Sequence, residues 1–242
     1  MEFEQALALV RSGQVRPGGI GILKEKTLHA TLKLWLDEET AHHEVPLPEG
    51  CVADIYDGER VTEIQTGNFS GFRPKLQKLL AQYPVTVVYP LVRRKWVRWI
   101  DPETGETGRA NRSPRTGSWS DAGAELIYIL PCLGHPNLTV RLVLLDVEEQ
   151  RLADGWGRDG KRGSHRVERL PVVLGDTLTL AAPADYRALI PAGLPVSFTA
   201  AAFGKAARLQ GRKLGGTLKV LLALGVLTRE KVGREYRYTV EE

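Results

Sequence analysis

Residues 51–65 read CVADIYDGERVTEIQ, and the fold turns on how this stretch is interpreted. Side chains alternate faces along a strand, so Val52, Asp54 and Tyr56 share one face of the first run. Val61, Glu63 and Gln65 share one face of the second. Asp57-Gly58 between the runs marks a turn, and the whole predicts a β-hairpin. A loop of Asp57–Arg60 sets Asp54 directly opposite Glu63, with Cβ atoms about 5 Å apart. A loop of Asp57-Gly58 alone pairs Asp54 with Val61 and leaves Glu63 a diagonal neighbour on the same face. In either register two like charges meet, and a divalent cation between them would turn repulsion into attraction.

Working outward, residues 20–36 (IGILKEKTLHATLKLWL) carry Leu28, Leu32, Trp35 and Leu36 at helical spacing and predict a helix. Glu25 lies three residues before Leu28 and seven before Leu32, on the stripe that should face the core, and His29 shares that stripe. A carboxylate there needs a reason: a role in a site, or a place in the first turn where the helix dipole favours it. Residues 69–82 predict a second helix beginning near Pro74. Residues 85–92 (VTVVYPLV) are nearly all apolar, as suits a strand covered on both faces. With a short strand at 44–47, the order is helix, three strands, helix, strand.

This pattern resembles the PD-(D/E)XK nuclease superfamily over about residues 20–92. The resemblance implies an α/β, restriction-endonuclease-like core with a mixed sheet flanked by helices. It assigns Asp54 and Glu63 as metal-binding carboxylates for Mg²⁺ or Mn²⁺, and Glu25 as the helix glutamate. Gln65 falls where the superfamily usually has lysine. Some restriction enzymes look similar in carrying Glu-x-Gln, and Lys75 or Lys78 on the next helix could supply the missing charge. Members of the superfamily often act as homodimers.

From about Leu194 the pattern changes. Thr199 can cap a short helix (AAAFGKAARL), Gly211 marks a turn, and a second helix runs from about Lys213 to Leu224 with Leu214, Leu218, Leu221 and Leu222 on one stripe. Two strand-like pieces follow around Val232-Gly233. The segment resembles a winged helix-turn-helix, which would direct its second helix to DNA and its hairpin to the backbone. The side opposite the leucine stripe is expected to carry Arg212, Gly216, Lys219 and Val220, with Gly215-Gly216 allowing a close approach. Arg212, Lys213, Lys219, Arg229, Lys231, Arg234 and Arg237 are the expected DNA-binding residues, acting mainly on phosphates.

Between these parts the sequence gives a polar loop at 101–122, a short helix at 123–131, a strand at 138–149, a basic glycine-rich loop at 151–166 and one or two strands at 167–180. The expected division is a core at 1–100, a β-rich middle region at 101–193 that either extends the core or stands alone, and the winged helix at 194–242. Residues 93–99 (RRKWVRW) interleave cations with aromatics, which suits phosphate contact or a solvated strand. Arg109, Arg112, Arg115, Arg158, Lys161, Arg162 and Arg166 lie in basic loops that could wrap a duplex.

Composition sets the outer bounds. At 242 residues, 43% hydrophobic and 26% charged, the chain can bury a core and is not a disordered polyampholyte. It has no run of about 18–20 apolar residues to span a membrane. MEFEQALALVRSG lacks the basic-then-apolar order of a signal peptide, and two cysteines make no disulfide framework, so the cytoplasm is the expected location. Net charge is −3 over residues 1–90 and +7 over 91–242, an acidic front beside a basic back. A metal-dependent DNA endonuclease, or a nuclease-derived DNA processor, is the leading expectation. A non-catalytic DNA-binding regulator and a scaffold subunit are the alternatives, and Gln65 in place of lysine favours the regulator.

Overall fold

The alternating runs at 51–65 do form adjacent strands, and the rest of the chain is built around them. The computed structural model describes residues 1–14, 26–155 and 164–241. Glu25, Arg158, Lys161 and Arg162 lie outside the described residues. The N-terminal helices are α1 (Phe3–Arg11) and α2 (Thr27–Leu36). A meander follows: β1 (His43–Pro46), β2 (Val52–Tyr56) and β3 (Val61–Ile64), each antiparallel to the last. Helix α3 (Arg73–Leu80), with Pro74 in its first turn, then carries the chain over to β4 (Val85–Ile100), which runs parallel to β3. A parallel neighbour requires such a crossover.

The middle region extends the same sheet. After the two-residue β5 (Asn111–Arg112), α4 (Gly123–Leu126) and a 3₁₀ segment lead to β6 (Leu138–Leu152), parallel to β4, and β7 (His165–Leu180) returns antiparallel. The sheet order is β1-β2-β3-β4-β6-β7, with β5 beside β4, so the molecule is α/β with a large mixed sheet flanked by helices. The expected strand at 85–92 is only the first half of β4. Its second half runs through the RRKWVRW stretch because β6 lines it with carboxylates. Arg93 pairs with Asp146, Lys95 with Glu149 and Arg98 with Glu148. Much of the positive charge expected to face phosphates is therefore spent within the sheet.

Two apolar layers hold the sheet. One face packs Ile55, Ile64, Val88, Val143 and Leu145 against Phe3, Leu7, Leu28 and Leu32 of α1 and α2. The other packs Val61, Val85, Val87 and Leu142 against Leu76 and Leu79 of α3 and Leu126 of α4. That second cluster continues into the C-terminal segment, which is β8 (Ser197–Thr199), α5 (Ala200–Ala207), α6 (Gly211–Ala223), β9 (Leu227–Val232) and β10 (Glu235–Val240). Its strands pair in the order β8-β10-β9. Thr199 caps α5 as expected, its hydroxyl accepting from the Ala202 N–H at 3.2 Å. Thr199→Ala is expected to cost about 1 kcal/mol in urea denaturation.

The burial of α6 corrects one expectation. Leu218 and Leu221 are buried, but so are Gly216, Thr217 and Val220, because α4 packs on a second side of the helix. A Cβ on Gly216 would lie 3.3 Å from the Gly123 carbonyl oxygen. Gly216 thus serves a helix contact, not an approach to DNA. The exposed stripe of α6 is Arg212, Gly215, Lys219 and Ala223, with Lys213 beside it.

Candidate active site

The hairpin register follows from its turn. Asp57 accepts the N–H groups of Glu59 (2.9 Å) and Arg60 (2.7 Å), and Gly58 takes a positive φ of 96°. This fixes the longer loop, Asp57–Arg60. Ile55 pairs with Thr62 and Tyr56 with Val61, and the backbone ladder stops one step short of Asp54 and Glu63. At that step the Ile64 N–H donates to Asp54 Oδ2 at 2.6 Å, so the carboxylate side chain takes up a donor of the neighbouring strand.

Each carboxylate has a basic neighbour from a different layer. His29 of α2 places Nε2 at 3.3 Å from Asp54 Oδ2. Lys75 of α3 places Nζ at 2.6 Å from Glu63 Oε2 and 2.7 Å from the Val52 carbonyl oxygen. Glu63 is only 1% exposed, and its other oxygen, Oε1, has no hydrogen-bond partner among the described residues. Leaving a buried carboxylate oxygen unsatisfied is costly, so the arrangement calls for a further donor or a cation.

The two carboxyls differ sharply in acidity. Burial opposes ionisation of Asp54, but His29, the Ile64 N–H and Lys75 outweigh it and hold Asp54 below its ordinary range. Burial pushes Glu63 up, the charge of Asp54 adds to this, and Lys75 offsets part of it, leaving Glu63 at about 7.

Of the residues singled out in the sequence, the structure brings together Asp54, Glu63 and Lys75. Gln65 lies just past β3, half-buried, and its N–H donates to the Val88 carbonyl at 2.9 Å. Lys78 is exposed on the outer side of α3. His29 was visible only as a partner of Glu25 on one helix stripe; its contact with Asp54 depends on how α2 packs over the hairpin. Among the described residues no three His, Cys, Asp or Glu side chains form a metal cage. Both cysteines are free, and no described helix is long and apolar enough to cross a membrane.

The seven basic residues expected to meet DNA are all exposed, but not on one face. Register sets Arg229 opposite Tyr238 and Lys231 opposite Tyr236, whereas Arg237 lies opposite Glu230 on the other side of the hairpin. The Arg229 guanidinium sits 4.4 Å over the Tyr236 ring.

Comparison with known proteins adds a family and a relative. An uncharacterized protein of Treponema pallidum (strain Nichols) is 30% identical over 152 residues, covering 62% of this chain and 59% of the relative. The chain thus spans well under two thirds of that relative's length. No solved structure matches the chain. The model of the family described as Domain of unknown function (DUF8091) matches residues 26–181, which hold the whole seven-stranded sheet and the Asp54–Glu63–Lys75 centre, and the chain belongs to that family.

Proposed function

We propose that the protein is a metal-dependent DNA endonuclease, or a nuclease-derived DNA-processing protein. The observation that carries this reading is the centre itself: two neighbouring carboxylates, one ionised and one with an unsatisfied buried oxygen, with a lysine between sheet and helix. The element order around it, α2-β1-β2-β3-α3-β4 with an antiparallel meander and a parallel last strand, supports kinship with the PD-(D/E)XK superfamily. Lys75 stands where the departure at Gln65 would otherwise leave no cation.

Mg²⁺ or Mn²⁺ fits this donor set. Mg²⁺ is usually held by one or two carboxylates and keeps several waters, and Glu63 Oε1 is a donor oxygen in need of a partner. Asp54 and Glu63 would hold the ion, which when bound lowers the pKa of a water and stabilises charge on a phosphate. His29 keeps Asp54 ionised and oriented. Lys75 steadies negative charge at Glu63 and can donate to an anionic oxygen nearby. Gln65 can orient a water by hydrogen bonding without adding charge.

The C-terminal segment supports DNA docking. Its strand-helix-helix-hairpin order and its β8-β10-β9 sheet are similar to a winged helix-turn-helix, and Arg212, Lys213, Lys219, Arg229, Lys231 and Arg234 offer phosphate contacts. Plasmid and branched DNA incubated with Mg²⁺, Mn²⁺ or EDTA test the reading. Metal-dependent nicking by wild type that Asp54→Asn loses, with DNA affinity kept, is the expected result. Binding without cutting would favour the non-catalytic regulator, and absence of binding the scaffold.

A further inference from the structure

A cavity of about 280 Å³ opens beyond the end of β3, walled by Thr66, Tyr89 and Val92, the loop 113–121, α4 and the first turn of α6. Four cationic side chains line it: Lys95, Arg115, Arg169 and Lys213. Three carboxylates line it too, but each is already engaged. Asp121 pairs with Arg115 and accepts the Ser118 N–H at 3.0 Å. Glu125 accepts the Phe69 N–H at 2.9 Å.

Glu149 is the most heavily used. It is 2% exposed and lies within ion-pair distance of Arg169 (2.9 Å), Arg151 (3.0 Å), Lys95 (3.2 Å) and Arg166 (3.7 Å). Burial alone would raise its carboxyl, yet Arg169, Arg151 and Lys95 hold it down to about 2. Of these four partners only Lys95 and Arg169 face the cavity, and its four cations against three carboxylates leave a net charge of +1, with Lys213 the exposed cation at the rim. A concave, partly desolvated surface concentrates the field of such an excess, and arginine forks match phosphate oxygens geometrically. Thr66, Ser113 and the Tyr89 phenol add neutral donors. The volume sits just below the range of pockets for drug-sized molecules, which suits one phosphorylated unit and excludes a duplex.

We propose that this cavity binds a phosphate monoester, carried either by a free mononucleotide or by the end of a nucleic-acid strand. The proposal rests on the cavity and its charges, and it stands apart from the metal chemistry assigned to Asp54 and Glu63. Thr66 follows Glu63 by three residues, just past the end of β3, so the two sites would be neighbours along the chain.

Fluorescence polarisation in EDTA, with one oligonucleotide prepared with a 5′-phosphate and with a 5′-hydroxyl, tests it. Inorganic phosphate and a 5′-mononucleotide serve as competitors and as ligands in thermal shift. The strand-end form predicts binding at least about tenfold tighter for the phosphorylated strand. The free-ligand form predicts a thermal shift with the mononucleotide and no difference between the strands. Lys95→Met with Lys213→Ala should remove either effect. Lys213→Glu, a change at an exposed position, should weaken it without disturbing the Glu149 cluster. Asp54→Asn should keep it. Equal strands with no shift from phosphate or mononucleotide would overturn the proposal. So would an effect that survives the Lys95→Met, Lys213→Ala pair, or one that is lost in Asp54→Asn and kept in Lys213→Glu.

Discussion

Glu63→Gln is expected to end metal-dependent cutting and, in the same preparation, to make the metal-free protein more stable at pH 8 by about 2–3 kcal/mol. Both effects come from the carboxyl that burial and Asp54 push from an ordinary value of 4.5 to about 7. Between those two pH values the folded protein keeps a proton on Glu63 that the unfolded chain releases. Stability from this group therefore falls as pH rises through that window and levels off above it. Glutamine resembles the neutral form, so the variant escapes the loss at high pH and gains little at pH 5. Asp54→Asn should go the other way. Its folded carboxyl is held below the usual range, so the charge stabilises the fold above the unfolded value, and this is lost as pH falls through the folded one. Asparagine forfeits that contribution at pH 8 while also ending cutting. Urea denaturation in EDTA at pH 5 and pH 8, beside nicking assays with Mg²⁺, reads both signs. A Glu63→Gln protein that is weaker than wild type at pH 8, or still cuts, would refute the assignment.

Gly123→Ala should cost about 3 kcal/mol or more, while Gly215→Ala should gain about 0.5–1 kcal/mol. A Cβ on Gly123 would lie 2.5 Å from the Thr217 Cα and 2.5 Å from its Oγ1, where backbone of α6 cannot yield without shifting the whole helix. Thr217 is itself fixed, its hydroxyl donating to the Ser120 carbonyl at 3.1 Å. Gly215 has nothing within 4 Å, so an alanine there adds only helix propensity. The same one-carbon addition thus falls inside the α4–α6 contact at Gly123 and on the exposed stripe of α6 at Gly215. Equal denaturation midpoints for the two variants would show that α4 and α6 do not meet as described.

The hairpin was legible in the sequence because alternation and Asp57-Gly58 are local signals, and only the loop length was left open. The turn hydrogen bonds of Asp57 settled it. The capped helix α5 was local in the same sense. What escaped depends on partners far along the chain. The second half of β4 looks like a basic surface stretch until Asp146, Glu148 and Glu149, some fifty residues on, line up beside it. Gly216 and Val220 sit off the leucine stripe, and only α4 explains why that side is buried as well. Lys75 and Lys78 are two lysines on one helix; only Lys75 lies on the side of α3 that reaches Val52 and Glu63.

Phe203, Val220, Leu221 and Tyr238 belong to the same apolar cluster as Val87 and Leu142. The C-terminal hairpin and the strand layer are thus parts of one packed body, so under the proposed function the offset between a backbone resting on that hairpin and Asp54 and Glu63 would be a constant of the molecule and not a property of a tether.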